Sequence, residues 1–259
     1  MSDSVEELYQ TAVEGARRAG RVVAERFPGQ RTISFKGGID LVTDSDQASE
    51  AVLLGYLRER HPEHAILSEE SGLSRGTGFR WIVDPLDGTT NYAHHLPHFS
   101  VSVAVEGPEG ILAGAVYDPM RDELFEAECG RGARLNGAPV RVSGIAELRR
   151  ALLATGFAYD VHSRRTPNLV HFERFIGCAQ AIRRAGSAAL DFAYVACGRF
   201  DGYWELHLAP WDVAAGILLV QEAGGSVSDF DGGAPPASGA RIAASNGRVH
   251  GAMLEVLNR

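Results

Sequence analysis

At residue 65 the hydrophobic pattern changes period, and this change constrains the fold more than any other feature of the chain. Before it, residues 4–27 read as an amphipathic helix, with Val5, Leu8, Ala12, Ala16, Ala19, Val22 and Val23 at helical spacing and Ser4-x-x-Glu7 as a capping box. Residues 32–35 and 41–43 are short β-prone pieces around Lys36-Gly37-Gly38, and a second helix runs from 44–46 to Arg60. After it, residues 66–68, 81–83, 99–106, 111–117, 124–128 and 140–142 read as strands, with Asn136-Gly137 as a hairpin signal. From residue 151 strands and helices alternate: strands at 151–155, 181–184, 202–205, 226–228 and 242–244, helices at 168–178, 188–197 and 213–223, and a last helix to the end. A strand-rich half followed by an alternating half predicts α+β and α/β subdomains in layers, over 1–141 and 142–259.

The 259 residues, 45% hydrophobic and 22% charged, suffice for one large domain or two modest ones. The net charge of −8 argues against a general nucleic-acid binder, whose affinity comes from neutralising phosphates. No apolar run approaches the roughly 18–20 residues that span a bilayer, and the start MSDSVEELYQ lacks the basic and apolar regions of a secretion signal. The expectation is a cytoplasmic protein without a membrane partner. Cys129, Cys178 and Cys197 are odd in number and lack CxxC spacing, so reduced thiols are expected.

Chemistry concentrates in Trp81-Ile82-Val83-Asp84-Pro85-Leu86-Asp87-Gly88-Thr89-Thr90-Asn91-Tyr92. An apolar strand runs into Asp84 and Pro85, where the proline is expected to end the ladder and let Asp84 and Asp87 turn toward one point. Two carboxylates and the Thr89 hydroxyl suit Mg²⁺, while Gly88 permits close approach of a phosphate to the following N–H groups. Alone, such a turn equally suits solvated acids, and Thr89 a helix cap. But Asp44 and Asp46, Glu69 and Glu70, and Asp212 also stand where one element gives way to the next. Acids repeated at such positions favour a multi-metal carboxylate cage. His162, His171, His207 and His250 show no metal-binding spacing.

These motifs resemble those of the inositol monophosphatase family, Mg²⁺-dependent and lithium-sensitive phosphatases. Asp84 to Tyr92 matches the family's DP(I/L)DGT(T)N(F/Y), and Trp211-Asp212-Val213-Ala214-Ala215-Gly216 its WDxAAG. Lys36, Leu41 to Asp46, Ser68-Glu69-Glu70-Ser71 and Gly186-Ser187-Ala188-Ala189 follow in the expected order. The resemblance spans nearly the whole chain. It implies an αβαβα sandwich of the sugar-phosphatase type, with an antiparallel N-terminal sheet, a mixed C-terminal sheet and a homodimeric assembly.

The resemblance also implies roles. One Mg²⁺ falls to Glu69, Asp84 and the Leu86 carbonyl, and a second to Asp84, Asp87 and Asp212; a third, weaker ion lies near Glu69, and Mn²⁺ can substitute. Thr89 and Asp46, helped by Glu69, activate water, and the Gly88 and Thr89 N–H groups take phosphate. Lys36 is a phosphate or carboxylate partner, or simply a solvated lysine. Gly186, Ser187 and Ala188 meet ligand hydroxyls, and Glu205 accepts from a polyol or is a surface acid. The implied activity is hydrolysis of inositol 1-phosphate or a similar polyol or sugar phosphate. The family's other substrates, fructose 1,6-bisphosphate, 3′-phosphoadenosine phosphates, NADP and histidinol phosphate, remain open. So does a regulatory binding protein that keeps the fold.

Overall fold

Alternate residues along the central strands belong to different cores, and this alternation stacks the layers. The computed structural model describes residues 3–29, 32–35, 41–157 and 167–259. In chain order the first elements are α1 (Val5–Arg26), β1 (Ile33–Phe35), β2 (Leu41–Thr43), α2 (Asp44–Arg60), β3 (Ala65–Ser68), β4 (Gly72–Ser74), β5 (Arg80–Asp87) and α3 (Thr89–Ala93). There follow β6 (Ser100–Gly107), β7 (Gly110–Asp118), β8 (Glu123–Glu128), β9 (Ala133–Leu135) and β10 (Ala138–Pro139). The remainder comprises β11 (Leu152–Thr155), α4 (Pro167–Ile176), β12 (Ala181–Arg183), α5 (Ala188–Ala196), β13 (Gly202–Leu206), α6 (Pro210–Glu222), β14 (Ser226–Ser228), β15 (Arg241–Ser245) and α7 (His250–Leu257). None of the described helices is long and apolar enough to cross a membrane.

The larger sheet has the order β10-β9-β8-β7-β6-β5-β3-β4, the smaller β12-β11-β13-β15-β14, and β1 and β2 form a two-stranded sheet among the described residues. Trp81, Val83, Val101, Val103 and Val105 face Leu8, Ala12, Ala16, Ala19 and Val23 of α1. The intervening Ile82 and Ala104 face Phe192 of α5 and Leu218 and Leu219 of α6. The smaller sheet repeats the device: Ala154, Tyr203 and Ala244 join that same α5–α6 core, while Leu153, Trp204 and Ala243 meet Phe175 of α4 and Met253 of α7. The layers therefore run α1/α2, larger sheet, α5/α6, smaller sheet, α4/α7. A Cβ on Gly216 would lie 2.5 Å from Phe192 Cγ, so glycine lets α5 and α6 approach.

Three expectations need correction. The larger sheet is antiparallel except for one parallel pair, β3 with β5, because the chain returns from β4 before entering β5. Residues 140–142 do not form a strand; the hairpin turns at Asn136 and Gly137, both with positive φ, and β10 ends at Pro139. The Val142 N–H instead donates to the Ala223 carbonyl at the end of α6. Finally, Pro85 does not end pairing, since β5 continues to Asp87 across a bulge.

Candidate active site

The bulge makes the site. In a regular strand, residues three apart face opposite sides of the sheet, so Asp84 and Asp87 would diverge. Asp84 pairs with Ser102 and Asp87 with Ser100, so β5 spends one residue more than β6 over this interval. Pro85 has no N–H to leave unpaired there, and the extra residue returns both aspartates to one side. The Leu86 N–H donates to Asp84 Oδ1 at 2.9 Å and closes the turn. Gly88 follows with φ +95°, and a Cβ there would stand 3.2 Å from the carbonyl oxygens of His98 and Gly186.

Asp212 enters from the third residue of α6, where its Oδ2 accepts the Ala209 N–H at 2.7 Å. The carboxylates of Asp84, Asp87 and Asp212 lie within 4.8 Å of one another. They line a cavity of about 240 Å³ together with Glu69, Leu86, Gly88, Thr89, Gly186, Ser187, Ala188 and Glu205. Glu69 sits just past β3, its N–H on the Val83 carbonyl at 3.3 Å. Asp46, at the start of α2, is buried beside the cluster: its Oδ2 takes the Thr43 N–H at 2.8 Å, and its Oδ1 faces Thr89 Oγ1 at 3.0 Å. The single Thr89 proton is shared between Asp46 and the Leu86 carbonyl, also at 3.0 Å. Thr89 is not the cap of α3; Gly88 holds that position.

Asp87 has a second set of neighbours. It accepts the Ala189 N–H at 2.9 Å, the Ala188 N–H at 3.2 Å and the Ser187 hydroxyl. The start of α5 is thereby tied to the end of β5, and the groups expected to meet ligand hydroxyls are directed onto Asp87. Glu205, on β13, is buried rather than at the surface; it accepts the Tyr203 hydroxyl and packs over Gly156. Lys36 and His162 lie outside the described residues. Asp191, Arg184 and Trp211 also line the cavity, and His207 stands at its exposed mouth. None of these four was singled out for the site from sequence; Asp191, between Leu190 and Phe192, carries no local signal beyond a charge inside an apolar run.

Burial pushes Asp84, Asp87, Asp212 and Glu205 toward their protonated forms, and neighbouring acids raise them further. Asp84 and Asp212 are driven well above the usual carboxylate range, Asp87 is raised to about 6, and Glu205 to about 7. Hydrogen bonds from Ser187, Ala188 and Ala189 hold Asp87 down relative to its neighbours. Buried oxygen donors of one charge, with only the exposed Arg184 as a cation among the described arginines and lysines lining the cavity, fit a hard divalent cation. A second cluster, Asp3, His61 and His64, does not. The Trp81 indole N–H donates to His64 Nδ1 at 3.2 Å, so the neutral ring carries its proton on Nε2 and gives it to Asp3 at 3.2 Å. No ring lone pair of His64 is then left for a metal.

This electrostatic crowding has a measurable sign. A carboxyl whose pKa is higher folded than unfolded binds its proton more tightly in the folded state, so stability falls as pH rises between the two values. For Asp87 and Glu205 the interval runs from ordinary values of 3.8 and 4.5 up to about 6 and 7. Calorimetry in chelator should therefore give a Tm that declines from pH 4.5 to 7.5, and a divalent cation should flatten the decline. A Tm that rises over this range in chelator would contradict it.

Known proteins resemble this chain over nearly its whole length. The chain is 49% identical over 253 residues to the Nus factor SuhB of Escherichia coli, covering 95% of this chain and 94% of that one. It is 43% identical over 251 residues to the inositol-1-monophosphatase of Synechocystis sp., covering 96% and 88% of the two chains. Among solved structures, the inositol monophosphatase of Anabaena (Nostoc) sp. superposes with a TM-score of 0.89 at 42% identity, over 98% of this chain and 96% of that one. Residues 4–259 match the model of the inositol monophosphatase family, and the chain belongs to that family.

Proposed function

We propose that this protein is a Mg²⁺-dependent phosphate monoesterase acting on inositol 1-phosphate or a similar polyol or sugar phosphate. The observation that carries the reading is the convergence of Asp84, Asp87 and Asp212 on one cavity whose wall holds the buried Glu205. Glu69, Asp84, the Leu86 carbonyl, Asp87 and Asp212 would hold two to three ions. When bound, such ions neutralise phosphoryl oxygens and ease ionisation of water and departure of the alkoxide. Thr89 gives its proton to Asp46 Oδ1, which leaves an Oγ1 lone pair to orient an incoming water and receive its proton. Burial and Glu69 raise the Asp46 carboxyl, which improves it as the final base. The Gly88 and Thr89 N–H groups would hold the phosphate, with Lys36 as a further cation. Gly186, Ser187, Ala188 and Glu205 would read the alcohol. In this reading 1–141 carry most metal ligands, 142–259 the recognition residues and Asp212, and the molecule works as a cytoplasmic homodimer.

A phosphate-release panel tests the activity. Inositol 1-phosphate should be cleaved with Mg²⁺, more slowly with Li⁺ present, and not at all in EDTA. Faster cleavage of histidinol phosphate, fructose 1,6-bisphosphate or adenosine 3′,5′-bisphosphate would reassign the substrate on the same scaffold, and undiminished release in EDTA would refute the metal mechanism. The name of the Escherichia coli relative, a Nus factor, supports a second reading, a binding role on the same fold. The two separate if a variant without phosphatase activity still performs the binding role.

A further inference from the structure

Asp191 has no part in the chemistry above, yet its surroundings are costly. It is only 1% exposed, in the first turn of α5, and its Oδ1 has no hydrogen-bond partner among the described residues. It lines the same cavity as Asp87 and Glu205. Burial and both of those acids push its carboxyl well above the ordinary range, and only the Arg184 guanidinium opposes them. A negative group in a helix's first turn gains from the helix dipole. That benefit does not explain this one, because Asp87 and Ser187 already serve the first N–H groups of α5. An apolar side chain or an amide would fill the position without placing a further acid in the cavity. A buried acceptor left without a donor is one that a ligand can satisfy.

We infer that Asp191 is a specificity-determining residue that, together with Glu205, binds neighbouring hydroxyls on the alcohol half of the substrate. This rests on the phosphatase reading above and narrows it. Asp191 comes from α5 and Glu205 from β13, so two independent elements bring carboxyl groups to one cavity wall. One oxygen of Glu205 is occupied by the Tyr203 hydroxyl, and Asp191 Oδ1 is unpaired among the described residues. Adjacent hydroxyls on a ring can donate to both groups at once. A second phosphate in the same place would meet carboxyl groups from both and no donor to replace the hydroxyls, so the preferred class is a monophosphate whose alcohol carries vicinal hydroxyls, ahead of bisphosphates. Arg184, exposed at the rim of this cavity, opposes the crowding of the pair only in part, since both carboxyls stay raised.

The test compares Asp191→Ala and Asp191→Asn with the wild type on inositol 1-phosphate and on p-nitrophenyl phosphate, with Tm measured in parallel. The ratio of the two kcat/KM values should fall by about tenfold or more in Asp191→Ala, chiefly through KM, and by less in Asp191→Asn, which keeps a hydrogen-bonding group. Without ligand both variants should melt above the wild type, because a buried acid crowded by other acids has been removed. Added myo-inositol should raise the Tm of the wild type more than that of Asp191→Ala. An unchanged ratio in both variants overturns the inference, whether the two rates hold steady or fall together with a lowered Tm as for a packing residue. A wild type that releases phosphate from neither ester overturns the phosphatase reading and this inference with it; an active wild type with a flat ratio overturns only the role of Asp191.

Discussion

Asp87→Asn should lower phosphate release by roughly a hundred- to a thousandfold at saturating Mg²⁺, the scale expected when a group stabilising transition-state charge is removed. Asp87 stands within the carboxylate cluster and also accepts from Ala188, Ala189 and Ser187. An amide oxygen can still accept from one of these N–H groups, so the start of α5 keeps an anchor while the cluster loses a negative charge. The effects on fold and on metal therefore separate. In chelator the variant should melt close to the wild type. Titration with Mg²⁺ should raise the wild-type Tm with concentration, as for any ligand that binds only the folded state, and raise that of the variant much less. Equal metal-induced shifts with activity lost would move Asp87 from holding metal to positioning α5. Near wild-type turnover would remove it from the site.

Glu205→Gln should weaken kcat/KM for inositol 1-phosphate by roughly ten- to a hundredfold, since charge-assisted hydrogen bonds contribute about 1.5–3 kcal/mol and 1.4 kcal/mol is a decade. p-Nitrophenyl phosphate should suffer far less, because it offers no ring hydroxyls. The Tyr203 hydroxyl donates to the Glu205 carboxylate and can donate equally to an amide oxygen, so this contact survives the change. The pH dependence supplies a further readout. Glu205 is raised to about 7, so its charge develops as pH rises through neutrality, and the wild-type preference for the polyol ester should grow over the same range. The variant's preference should stay flat. Equal losses on both esters would place Glu205 in the catalytic apparatus or the fold, and no loss on either would remove the main residue-level support for a polyol substrate.

Local pattern was enough for much of this molecule. The helix over 4–27 was legible because its capping box and its 3.6-residue periodicity agree, and α1 covers Val5–Arg26. The hairpin at Asn136-Gly137 was legible because few residue pairs adopt positive φ so readily. The acids of the site could be picked out because each stands at the end of a strand or the start of a helix, and Asp84, Asp87 and Asp212 do converge. What sequence could not reveal depends on partners distant in the chain. Pro85 reads as a stop, yet β6 continues the ladder past it to Asp87, and the resulting bulge sets the direction of both aspartates. The start of α5 is also tied to a carboxylate 100 residues away, which takes the Ser187 hydroxyl, a contact that no local pattern announces. Asp191 is one acid in an apolar helix until α5 is laid between the two sheets beside Glu205. Periodicity and turn chemistry act within a few residues, so the chain determines its elements and their punctuation by itself; the direction of a buried polar group depends on which desolvated neighbours can pair with it, and only the packed layers decide those.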